Sequence, residues 1–95
     1  MGQQHTIGRT ATTVKTKDGL TRIQYHSTVV VEFDQEQIRL DSGGWQTATT
    51  KSRMNQASNQ FDLGYRVFQK DFEWRVYVSQ HDITLPFYDG MLITR

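Results

Sequence analysis

Residues 42–53, read as Ser-Gly-Gly-Trp-Gln-Thr-Ala-Thr-Thr-Lys-Ser-Arg, gather groups that could hold an anion. Thr47, Thr49, Thr50 and Ser52 supply hydroxyls, Lys51 and Arg53 supply positive charge, and Trp45 supplies an aromatic face. A helix opening here would add free backbone N–H groups at the positive end of its dipole, a ready anion site. Helices usually place acids in the first turn, yet no acid occurs between residues 42 and 61, so cations stand where they repel. A bound anion would resolve that conflict. A guanidinium such as Arg53 can grip a phosphate with two bonds, and an indole such as Trp45 can stack on a base. Gly43 and Gly44 would let a backbone approach closely. Trp45, Thr47, Thr49, Thr50, Lys51 and Arg53 are therefore the candidate binding residues for a nucleotide or other phosphate-bearing small ligand. The spacing is not that of a P-loop, because GxxxxGK followed by Ser or Thr is absent. The plain alternative has Thr50 capping the helix, Trp45 anchoring the loop in the core, and both cations pointing into water, where the dipole penalty is roughly a few tenths of a kcal/mol.

A second constellation runs through Tyr65–Arg66–Val67–Phe68–Gln69–Lys70–Asp71–Phe72–Glu73–Trp74–Arg75–Val76–Tyr77. Basic and aromatic residues alternate, as on a stacking face for single-stranded nucleic acid. Arg9, Lys15, Arg66, Arg75 and Tyr77 are the candidates for that alternative, although Asp71 and Glu73 would repel phosphate. The histidines His5, His26 and His81 show no metal-ligand spacing, and there is no cysteine to support them. No metal or other cofactor is implied. No GxSxG elbow or cysteine nucleophile appears. Asp41 and Asp89 could meet as an acid–base pair, but any chain with ten acids allows such pairs. A binding protein is expected, not an enzyme.

These residues sit in a chain of 95 residues, the length of one domain. A core that small leaves the fold marginal, and association into a homo-oligomer would supplement it. The net charge of +1 does not advertise nucleic acid by bulk attraction. Acids cluster in Glu32–Asp41 and the C-terminal half, which gives one mildly basic and one acidic face, and the acidic edge could mimic nucleic acid or cover another enzyme as a third role. A purely structural part is a fourth. No apolar run approaches the roughly 20 residues of a membrane span, so no membrane partner is expected. The first residues lack the apolar stretch of a signal peptide. Gly2 and Thr6 match a myristoylation pattern, but one that is short and common.

The elements that must position these groups follow from periodicity. Residues 1–7 read as a flexible N-terminus and residues 8–95 as a single α+β domain. Thr10–Thr16 is a β-branched strand, and Asp18–Gly19 is a strong hairpin signal. Residues 20–33 alternate as one long strand, with Ile23, Tyr25, Val29, Val31 and Phe33 on one face and a bend or bulge near His26 and Ser27. Ile38–Asp41 returns as a short strand. Met54, Ala57 and Phe61 mark a helix over roughly 50–62, capped by Thr49 or Thr50 and stopped by Gly64. Its seam is expected to pack on Trp74, Val76 and Val31. Residues 65–69 and 72–78 form a hairpin around Lys70–Asp71, with Phe72, Trp74, Val76 and Val78 on one face. One or two short strands close the chain, and Pro86 confines its own to an edge. The order is β-β-β-α-β-β-β: a curled antiparallel sheet of about five to six strands, a half-barrel packed against one helix.

Residues 29–91, most of the chain, also resemble a family of small, uncharacterised proteins encoded by bacteriophages. Leu40–Trp45, Thr47–Gln56, Tyr65–Lys70 and Pro86–Met91 carry the likeness. The resemblance implies a phage origin, a place in the host cytoplasm, and the usual uses of small phage proteins: countering host defence, binding nucleic acid or blocking a host enzyme. No functional residue carries over from it.

Overall fold

The computed structural model describes residues 12–95. The expected N-terminal segment over residues 1–7, Arg9, His5 and the Gly2–Thr6 pattern lie outside them. The described residues form eight strands and one helix: β1 (Thr12–Lys17), β2 (Leu20–Tyr25), β3 (Thr28–Phe33), β4 (Gln37–Leu40), α1 (Ala48–Phe61), β5 (Tyr65–Lys70), β6 (Glu73–Val78), β7 (Ile83–Pro86) and β8 (Met91–Thr94). The fold is α+β, with strands before and after a single helix as the sequence implies. The strands divide into an antiparallel five-stranded sheet, β1-β2-β3-β4-β8, and an antiparallel three-stranded sheet, β5-β6-β7. Neither closes on itself.

Two features raise the strand count above the expected five to six. Residues 20–33 are a hairpin rather than one bent strand. His26 takes the left-handed conformation, with φ 55°, and Tyr25 pairs with Thr28 across His26 and Ser27. The anticipated irregularity exists as well: Ile23 pairs with Val31 but Gln24 with Val29. Val30 is the extra residue of a bulge, which turns both Val30 and Val31 inward and curls the sheet. The second feature is the segment around Pro86. Strand β7 pairs with β6, strand β8 pairs with β4, and the link between them bonds to both sheets: the Phe87 amide donates to the Trp74 carbonyl and the Gly90 amide to the Leu40 carbonyl. Pro86 does lie on an edge strand.

The hairpin between β5 and β6 turns one residue later than expected. Asp71 and Phe72 both have positive φ, 55° and 66°, the pattern of a two-residue turn whose twist matches its strands. Phe72 therefore does not join Trp74, Val76 and Val78 on the buried face; it stands at the tip, 96% exposed. The same chemistry appears at Asp18–Gly19, where φ is 55° and 81°, as the Asp-Gly pair suggests.

Helix α1 begins earlier than the apolar seam indicates. Thr47 is the N-cap, its hydroxyl accepting from the Thr50 amide. At the other end Asp62 is the left-handed cap, and Gly64 follows at φ 76°. The helix packs on β5, β3 and β2, so it meets the strand that carries Val31, while Trp74 and Val76 sit on β6, one strand further off. Met54 and Ala57 are fully buried, and Phe61 stacks obliquely on Phe33 at 5.2 Å. The helix also covers an edge. Asn55 donates to the Val67 carbonyl and accepts from the Val67 amide, at 2.8 and 2.7 Å. The Ser58 hydroxyl donates to the Tyr65 carbonyl and accepts from its amide. Two helix side chains thus stand in for a missing strand beside β5 and satisfy groups that would otherwise recruit another chain.

Candidate functional site

The first turn of α1, the β4–α1 loop and the tip of the β2–β3 hairpin meet around a cavity of about 350 Å³. That is the lower end of the roughly 300–1,000 Å³ typical of small-ligand sites. Tyr25, His26, Ser27 and Thr28 line it from the hairpin, Val30 from β3, Ser42 and Trp45 from the loop, and Thr47 and Thr50 from the helix start. Of the residues singled out by sequence, Trp45, Thr47 and Thr50 belong to this lining. Thr49 is exposed on the first turn outside it, and Lys51 and Arg53 are half-buried outside it.

The loop has its shape because two glycines allow it. Gly43 and Gly44 have φ of 63° and 85°, and the Trp45 amide closes the turn on the Ser42 carbonyl at 3.0 Å. A Cβ at Gly43 would press into the Thr28 side chain, reaching its Cγ2 at 2.8 Å, whereas one at Gly44 would meet nothing within 4 Å. Close approach at Gly43 is what joins the loop to the hairpin tip. Asp89 pins the same loop from 47 residues away. Its Oδ1 accepts from the Ser42 amide at 2.8 Å and from the Ser42 hydroxyl at 2.7 Å. Asp41 accepts from the Gly43 amide and from Arg39. Asp41 and Asp89 therefore flank one loop as structural acceptors. The buried Ser42 hydroxyl, bonded directly to Asp89 with no imidazole between them, is spent on holding the turn.

Trp45 is 67% exposed at the rim, so it is not a core anchor; Trp74, at 7%, takes that role and meets the Phe87 ring edge-on at 5.2 Å. In the same lining, Tyr25 and His26 form a tilted ring pair at 4.3 Å. Arg53 lies against Tyr25, its guanidinium carbon 5.8 Å from the ring centroid, and donates to Gln56 at 3.1 Å. The Thr47 and Thr50 hydroxyls lie 3.1 Å apart and share a hydrogen bond. The amides of Ala48 and Thr49 belong to the first turn, where an α-helix has no carbonyl to offer them.

Tyr25, His26, Ser27, Thr28, Val30 and Ser42 were not singled out by sequence reasoning. The available signal was the polar pair His26–Ser27 interrupting an apolar alternation, which reads as a bend in one strand or as a hairpin tip.

The nucleic-acid candidates do not assemble on one surface. Lys15 lies on the outer face of the five-stranded sheet, opposite Arg22. Arg66, Arg75 and Tyr77 lie on the outer face of the three-stranded sheet, where Arg66 pairs with Tyr77 and Phe68 with Arg75. There Arg75 contacts Glu73 at 3.3 Å, and the Tyr77 hydroxyl donates to Asp82 at 2.8 Å. That hydrogen bond, with some burial, holds the Tyr77 phenol above its usual pKa. The acidic edge is also internally engaged, since Glu32 pairs with Arg22 and Asp34 accepts from the Glu36 and Gln37 amides, which pulls its carboxyl below the usual range. Among the described residues no cluster of histidines and acids could hold a metal, and no helix is long and apolar enough to cross a membrane.

Comparison with known proteins agrees with the phage resemblance. A family model described as Kyanoviridae Gp96 protein matches residues 1–94, nearly the whole chain. No curated protein and no solved structure matches it.

Proposed function

The chain belongs to the Kyanoviridae Gp96 family of phage proteins, and on that footing we propose that it is a small binding protein that sequesters a nucleotide-class ligand in the host cytoplasm, as a counter to host defence. One observation carries the reading. A ligand-sized cavity is lined by the exposed Trp45 from the loop and by Tyr25 and His26 from the hairpin, and it includes Thr47 and Thr50 from the start of α1. Rings supplied by the loop and by the hairpin suit a planar heterocycle. The adjoining helix start, with the open amides of Ala48 and Thr49 and Lys51 on the same turn, suits an anion attached to that heterocycle. Ser42 and Asp89 make the loop rigid, which limits the ordering cost of binding. A homo-oligomer that completes the mouth of the cavity fits a chain of this length.

The test is a thermal-shift and tryptophan-fluorescence screen of the purified protein against mononucleotides, cyclic di- and trinucleotides, and short single-stranded DNA and RNA. A ligand held only by the folded state adds about 2.7 kcal/mol at a hundredfold excess over Kd, which moves the midpoint of a domain this size by roughly 10–20 °C. Trp45→Ala should remove the shift while leaving the ligand-free midpoint within a few degrees. A screen in which no nucleotide moves either signal overturns the proposal. A shift with oligonucleotides alone, lost in salt, would transfer the assignment to Lys15, Arg66, Arg75 and Tyr77.

A further inference from the structure

The cavity lining holds no permanently charged cation to neutralise a phosphate; its one titratable base is the imidazole of His26. Its rings are those of Tyr25, His26 and Trp45, and its polar groups include the hydroxyls of Thr28, Thr47 and Thr50. None of the lining side chains is a carboxylate, an ammonium or a guanidinium. The Arg53 guanidinium sits against the ring of Tyr25, a lining residue, with one nitrogen bonded to Gln56. The helix cap also closes on itself, because the Thr47 hydroxyl accepts from the Thr50 amide and shares a hydrogen bond with the Thr50 hydroxyl. Seating a phosphate dianion among these groups would strip its water without supplying a paired cation, a desolvation that neutral hydroxyls do not repay. A neutral heterocycle has no such penalty: its faces meet rings and its edges meet hydroxyls.

We infer that the cavity reads the uncharged ring of its ligand, with any phosphate left at the mouth in water, so that the ligand class extends to free nucleosides. This rests on the reading of the cavity as a nucleotide site and narrows it. The division of labour differs from the one the sequence suggests, in which Lys51 and Arg53 supply the grip. A phosphate at the mouth, next to the first turn of α1, is screened by salt and contributes little to affinity.

The experiment uses the full chain and the emission of Trp45, for which the buried Trp74 is a constant background. Adenosine, guanosine, cytidine and uridine are titrated alongside their 5′-monophosphates at low and high salt. The expected result is that at least one nucleoside binds with a Kd within about threefold of its monophosphate, and that salt changes neither by more than about twofold. Trp45→Ala, which removes that emission and is therefore followed by isothermal titration calorimetry, should lose both ligands. If a monophosphate binds and its nucleoside does not, the inference is overturned while the nucleotide-site reading stands. If no nucleoside and no nucleotide binds, the reading itself falls and the inference with it. If Trp45→Ala keeps full affinity for a nucleoside, the ring is held elsewhere, and both are overturned.

Discussion

Gly43 and Gly44 provide a controlled test of how the loop is held against the hairpin tip. Both need a positive φ, but only Gly43 faces a neighbour. Alanine in the left-handed region costs about 1–2 kcal/mol, and the loss of glycine's freedom in the unfolded chain returns about 0.4–1 kcal/mol. Gly44→Ala should therefore destabilise by about 1 kcal/mol, a fall in Tm of roughly 4–8 °C. Gly43→Ala bears the same backbone cost and also drives its methyl into Thr28. Overpacking adds about 1–3 kcal/mol, so the total is about 2–4 kcal/mol and the fall in Tm roughly 10–25 °C. Thr28→Ala removes the Oγ1 and Cγ2 atoms involved and leaves a Cβ at 3.1 Å. In the Gly43→Ala background it should restore the overpacking share but not the backbone share. Measured against Thr28→Ala alone, the double variant then falls about as far as Gly44→Ala does. Denaturant and thermal melts of the four variants and wild type give the cycle. Equal losses for Gly43→Ala and Gly44→Ala, or no coupling between positions 43 and 28, would refute the close approach.

Phe72→Asn should raise Tm by a few degrees, since asparagine tolerates the left-handed conformation better than phenylalanine and the 96% exposed ring gives up no burial; a fall would mean that the ring makes a stabilising contact. Ser58→Ala should cost about 1–3 kcal/mol in a urea melt, because it orphans the buried Tyr65 amide and carbonyl together, and a neutral result would remove the helix from its edge-covering role. Burial raises the Tyr65 phenol far above its ordinary value of about 10. A folded-state pKa raised in this way contributes stability fully present below the unfolded pKa and lost as pH rises beyond it, by about 1.4 kcal/mol per unit. Tyr65→Phe should therefore be less stable than wild type at neutral pH, having lost the 2.7 Å bond to the Met54 carbonyl, yet decline less steeply above pH ~10; parallel alkaline limbs for the two proteins would contradict the burial argument.

What the sequence determined by itself is what short-range chemistry controls. Asp18–Gly19 dictates a hairpin because that pair tolerates positive φ. Met54 and Ala57 reveal a helix because 3.6-residue spacing places them on one stripe. Pro86 marks an edge because it lacks an amide. Gly43–Gly44, the neighbouring threonines and Trp45 already point to the loop where the cavity lies. Where local signals compete, sequence reading drifts by a residue or two. Four hydroxyls stand near the helix start, and only the close packing of Thr50 decides that Thr47 is the cap; the turn at Asp71–Phe72 is chosen by the cross-strand register of β5 and β6 against the preference of phenylalanine. Tertiary structure alone decided the rest. It brings Tyr25, His26 and Trp45 into one cavity lining, sets Asp89 on Ser42 across 47 residues, and places Arg53 against the Tyr25 ring rather than in that lining. Those outcomes depend on which side chains meet after the sheet curls around the helix, and periodicity along a chain carries no information about distance across it.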